Sequence, residues 1–172
     1  MTPRAILLAS LIAGVNFWSA VGGIAQDEES GTAAFAAAMK TAKATLQRAL
    51  IASKAQGTPI SAKFEIEDGQ LQLSIYTMNG NDFTEVVADA KTGAIVEAGE
   101  ITDAMDLHKA MEHKAAMAKA TVPLLRAAEA AVKVNAGSRA LSIVPELKNG
   151  QATAEVILLE GSTFKKVTEK LD

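Results

Sequence analysis

The sequence predicts an α+β fold made of two repeats, each a long helix packed on a curled three- to four-stranded antiparallel sheet. Two observations carry this. First, Asp68-Gly69-Gln70, Gly80, Phe83 and Val86 are echoed by Asn149-Gly150-Gln151, Gly161, Phe164 and Val167, every position offset by 81 residues. Second, each block follows an Ala-rich segment whose apolar residues recur at helical spacing, after which the period changes to two.

The chain opens with a stretch that reads as a secretory signal, residues 1–25. Arg4 precedes an apolar core from Ala5 to Val15, and Gly23-Ile24-Ala25 sets small residues before an expected cut between Ala25 and Gln26. The competing reading is an uncleaved anchor, since the uncharged run is about long enough to span a bilayer. Asn16 and three glycines dilute that run. The expected organisation is therefore a signal at 1–25, a first unit at 26–100, and a linker helix with a second unit at 101–172.

Removing Arg4 with the leader leaves 16 basic against 20 acidic residues. That mildly acidic balance, with no basic cluster, excludes a nucleic-acid binder. There is no cysteine, hence no disulfide framework and no thiol nucleophile. Units of this size are marginal alone, so the two should share an interface.

Gln26 to Gly31 reads as a polar lead-in. The first helix is expected from Thr32 to Ala55, with Phe35, Met39, Ala42, Leu46, Ala49 and Leu50 on one stripe. Gly57 suits the left-handed cap and Pro59 bars continuation. Ala62, Phe64 and Ile66 then alternate with Lys63, Glu65 and Glu67. Asp68-Gly69 is a two-residue hairpin signal. Leu71, Leu73 and Ile75 form the next apolar row, and Asn79-Gly80 the next turn. A third strand covers Phe83 to Ala88, a short fourth Ala94 to Glu97. Gly99 to Thr102 connects to a helical region with Asp103 as N-cap. Pro123 either kinks that region or separates two helices near Thr121. Beyond it Leu124, Ala127, Ala128, Ala131 and Val132 should point inward. Strands follow at Arg139 to Leu147, Ala152 to Leu159 and Thr163 to Leu171.

The segment Leu46 to Val96 resembles a PepSY domain. The resemblance rests on a helix, Gly57 and Pro59, two short hairpins, and the closing run Asp89-Ala90-Lys91-Thr92-Gly93-Ala94-Ile95-Val96. The second copy has the hairpins without the Thr-Gly. The resemblance implies an exported or membrane-associated binding or regulatory module, as in peptidase propeptides, rather than a catalyst. It supplies no agreed functional residues. Physically, Asp89, Thr92 and Gly93 read as a structural turn. One carboxylate beside a Thr falls far short of a calcium site.

On the sheet side opposite the expected helix, Tyr76 and Met78 align with Ile157 and Leu159. This apolar row either packs against the other copy or receives a partner. Met105, His108 and Met111 on the linker helix are a weaker candidate for copper, spread over about 120° of the helix. His108 and His113 are the only imidazoles, and neither has a nucleophile motif beside it. The expectation is a periplasmic or secreted, non-catalytic protein without a cofactor. It would dock on another exported protein, a peptidase or envelope sensor, or on a second copy of itself. The alternatives are a small-ligand or copper carrier and a structural envelope component.

Overall fold

The computed structural model describes residues 25–172, and the expected signal at 1–25 lies almost wholly outside them. The described elements are α1 (Ala25–Met39), α2 (Leu46–Ala52) with a 3₁₀ turn (Ser53–Ala55), β1 (Thr58–Glu67), β2 (Gln70–Asn79), β3 (Asp82–Asp89), β4 (Ile95–Glu100), α3 (Ala104–Met117), α4 (Leu124–Val134), β5 (Arg139–Lys148), β6 (Gln151–Glu160) and β7 (Thr163–Lys170). The strands form one antiparallel seven-stranded sheet in the order β4-β3-β2-β1-β5-β6-β7. None of the described helices is long and apolar enough to cross a membrane.

The hairpins follow from local chemistry. Asp68 and Gly69 both take positive φ (50° and 74°), as do Asn149 and Gly150 (52° and 82°). Left-handed pairs of this kind match the twist of the flanking strands. The ladders carry the same irregularity 81 residues apart, at Pro59/Ser61 against β2 and at Ala140/Ser142 against β6. These bulges bring in Ile60 and Leu141, both buried. β1 therefore starts at Thr58, earlier than the alternation from Ala62 implies.

The two halves join at a short seam. β1 meets β5 with Ala62 opposite Ile143 and Lys63 opposite Ser142, and Ala62 and Ile143 are themselves 81 residues apart. One continuous core lies on the side of the sheet under α2 and α4. It joins Leu46, Leu50, Phe64, Leu73, Ile75 and Val86 from the first half to Leu124, Ala128, Ile143, Val156, Leu158 and Leu171 from the second. The α4 stripe lands there as the spacing predicts, with Leu124, Ala127, Ala128 and Ala131 buried and Val132 half-buried.

The first helix and β4 depart from expectation. The single helix expected from Thr32 to Ala55 is two helices, and residues 26–31 belong to α1 instead of forming a separate lead-in. The break at Lys40 to Thr45 is held from outside. Lys43 and Ala44 donate N–H bonds to Ala90 O (3.1 and 3.0 Å). Arg139 donates Nη1–H bonds to Met39 O and Ala42 O (3.1 and 3.0 Å) and an Nη2–H bond to Ala44 O (2.7 Å). Thr45 then caps α2, its Oγ1 accepting from Arg48 N. At Pro123 two helices meet, α3 and α4. The chain between them pins the C-terminus, with Thr121 N and Val122 N both donating to Leu171 O. Finally, β4 runs to Glu100, so the expected connector begins inside a strand.

Arg139 also lies over the Phe64 ring, 5.5 Å from its centroid. Burial holds its guanidinium below the ordinary arginine range. Removing it strips donors from three carbonyls at the end of α1 and the turn that follows. Arg139→Ala is expected to lower stability by about 3 kcal/mol, read as a shift in the urea midpoint, and Arg139→Lys to recover less than half of that.

Candidate functional site

The side of the sheet away from the main core is not open, because α3 lies across it. Asp103 caps this helix, its Oδ1 accepting from Met105 N and Asp106 N (2.9 and 3.1 Å). The preceding residue Ile101 is buried, and its N–H extends the β3 ladder to Phe83 O at 3.0 Å. Small residues face the sheet, Ala110 and Ala116 both fully buried, which lets the helix approach closely. A second apolar cluster forms beneath it from Ile60, Tyr76, Phe83, Ile101 and Ala110, flanked by Met78, Leu107 and Met117. Lys114 closes one end. Its Nζ donates to Gly80 O (2.7 Å) and Asn81 Oδ1 (2.6 Å) and sits 5.9 Å from the Phe83 ring centre.

Titratable groups gather around that cluster. Asp106 accepts from the Tyr76 hydroxyl and also pairs with Lys109 Nζ at 3.1 Å. The His113 ring is tilted against Tyr76, centroids 6.4 Å apart, and its Nδ1 is buried with no hydrogen-bond partner. On the sheet, Lys63 pairs with Glu65 at 2.5 Å, and the Ser74 hydroxyl donates to Glu65. Glu85 stands opposite Tyr76 in the ladder. Burial, then the Glu85 and Asp106 charges, drive the Tyr76 hydroxyl far above its usual range. Burial raises the Glu85 carboxyl against the bond from Ser74 that lowers it. Burial alone would lower Lys63, but the Glu65 ion pair outweighs it and the ammonium is held above its ordinary value. His113 is pushed down to about 4 by burial, with Lys109 and Lys63 adding to the effect. At neutral pH the imidazole is therefore uncharged, and α3 rests on a proton-poor contact.

This arrangement couples the seating of α3 to pH. Between about pH 4 and the ordinary 6.5, the unfolded chain binds a proton on His113 that the folded chain does not. The stabilisation is full above that window and is lost as pH falls through it. Glu85 acts in the opposite sense and offsets part of the loss. The net expectation is a loss of about 2 kcal/mol between pH 7 and pH 4.5, flattened in His113→Gln. Urea denaturation across this range checks it, and an unchanged slope in the variant would contradict the assignment to His113.

The residues singled out from sequence fall in separate places. Tyr76 is 7% exposed under α3, with Met78 half-buried at its side. Leu159 is 6% exposed and belongs to the main core, with Ile157 half-buried against it. The four do not form one face: Tyr76 and Met78 lie with the cluster under α3, while Ile157 and Leu159 pack with the main core. Asp89, Thr92 and Gly93 form a tight turn. Asp89 Oδ1 accepts from Lys91 N (3.2 Å), Thr92 N (2.7 Å) and Thr92 Oγ1 (2.7 Å), while Gly93 takes a φ of 75°. The Thr92 bonds hold the exposed Asp89 carboxyl below the usual carboxylate range. Met105, His108 and Met111 all lie exposed on α3, with His108 Nε2 3.5 Å from Glu112. Among the described residues no group of three or more His, Asp or Glu side chains is placed to hold a metal ion.

His113 and Asp106 emerge from the structure as the polar centre of this site. A sequence signal existed, since Asp106, Ala110, His113 and Met117 fall at steps of four, three and four along one helical stripe. Lys63 and Glu85 lie on strand faces that alternation alone assigns to solvent.

Comparison with known proteins matches residues 35–98 to the family described as peptidase propeptide and YPEB domain, PepSY. Among solved structures, a Clostridium difficile 630 protein described as a candidate lipoprotein is similar at 16% identity and a TM-score of 0.39. That similarity covers 74% of this chain and 95% of the other. No protein of curated function matches the sequence.

Proposed function

Residues 35–98 are a PepSY domain, and from that premise we propose that the chain is an exported, non-catalytic module that docks on another exported protein, a peptidase being the leading candidate. The docking surface in this reading is the free edge of β4.

The observation that carries it is the state of that strand. Among the described residues β4 is the end of the sheet order and pairs with β3 alone. Every residue from Val96 to Glu100 is exposed, Val96 at 64%. Ile101 N–H reaches Phe83 O, and the ladder sets Gly99 opposite Glu85 and Glu97 opposite Val87. By antiparallel alternation Ala98 and Glu100 turn their backbone groups away from β3. An extended segment can add there by strand pairing. Glu97 and Glu100 favour a segment carrying basic residues. The opposite edge, β7, carries Lys165, Lys166 and Lys170, charges that guard an edge against pairing. The polar cluster under α3 supports a structural rather than a catalytic use, because it lies beneath a helix packed on the sheet.

The leader at residues 1–25 supports a periplasmic or secreted location. Affinity capture from a native envelope extract, with mass spectrometry of what co-elutes, tests the proposal. The intact chain is expected to recover one exported protein, and Ala98→Pro, which removes an outward N–H, to lose it while keeping the same urea midpoint. Retention of the same protein by Ala98→Pro excludes the β4 edge.

A further inference from the structure

A small cavity of about 250 Å³ opens between the end of α1 and the start of β5. Ala36, Met39 and Leu159 give it an apolar wall, and Lys40 and Arg139 give it cationic groups. Among the described residues no acidic side chain lines it. We propose that this cavity binds a small apolar carboxylate, of the kind presented by the C-terminal residue of a peptide.

Two observations converge on an anion. Arg139 spends three of its N–H donors on Met39 O, Ala42 O and Ala44 O, which leaves Nε–H and one Nη2–H without a partner among the described residues. A guanidinium with two uncommitted N–H groups can still donate to a carboxylate. Lys40 is exposed beside it and makes no ion pair among the described residues.

Size and lining narrow the anion further. The volume falls below the roughly 300–1,000 Å³ of sites that take drug-sized ligands. It suits one amino-acid residue or a short acid. The apolar wall favours a carboxylate carried on a few carbons over inorganic phosphate. Such a ligand would bridge α1 and β5, the same two segments that Arg139 already ties. This inference rests on residues distant in sequence from β4 and is independent of the docking proposal.

The test uses the full chain and four probes: N-acetyl-alanyl-leucine, its C-terminal amide, isovalerate and inorganic phosphate, each titrated by calorimetry. The dipeptide acid is expected to bind with a Kd of about 1 mM or tighter, and the amide about tenfold more weakly. Lys40→Glu, at an exposed position, is expected to weaken the acid by at least about threefold. Isovalerate binding as tightly as the dipeptide supports the site and assigns it to small free acids. Weaker isovalerate binding supports the site and assigns it to chain ends. Absence of acid binding, equal binding of acid and amide, phosphate binding as tightly as the acid, or no change in Lys40→Glu each overturns the proposal.

Discussion

The structure depends on a seam between β1 and β5, where two facing residue pairs make seven strands one sheet. Ladders this short contribute little by themselves, and a lone three- or four-stranded half has too little core to be secure. The seam persists because both sides of the sheet are covered by elements that straddle it. On one side α2 and α4 bury a core drawn from both halves, centred on Ala62 and Ile143. On the other, α3 lies over β1 and β5, with Tyr76 and Ile60 beneath it. The seam also explains the free ends of the sheet. Joining the halves through their first strands leaves β4 and β7 outermost.

Two polar devices reinforce the join in different ways. Arg139 reaches from the first residue of β5 to the turn after α1, and it replaces helical hydrogen bonds with bonds between distant parts of the chain. The α3 side uses the reverse strategy, since there the imidazole of His113 is kept neutral and packed against Tyr76. One contact is a charge satisfied by carbonyls. The other is a base deprived of its proton. Only the second responds to acid, because the imidazole takes up a proton as pH falls toward about 4 while the guanidinium is already charged.

Much of the fold was legible because its causes are local. Asp68-Gly69 and Asn149-Gly150 announce hairpins through the backbone freedom of those residues, and the Asp89–Thr92 turn carries its own hydrogen bonds. The α4 stripe follows from helical spacing. What escaped is set by partners remote in sequence. The break after Met39 depends on Ala90 and Arg139, and Ala-rich helical propensity in residues 32–55 gives no hint of either. The row of Tyr76, Met78, Ile157 and Leu159 aligns in sequence, yet nothing in those strands encodes that the first pair goes to the cluster under α3 and the second to the main core. Arg139 itself follows a Gly-Ser pair at a strand start and looks like any surface arginine until its three carbonyl partners are in place.

The central claim is that the two halves form a single cooperative body closed at the β1–β5 seam. Native-state hydrogen exchange along the full chain, resolved by mass spectrometry, measures it most directly. The account predicts that amides of β1, β2, β5 and β6 open with one common free energy, while those at the rim of β4 exchange much faster. Protection confined to β1 through β3, with β5 through β7 exchanging by a separate and less costly opening, would contradict it.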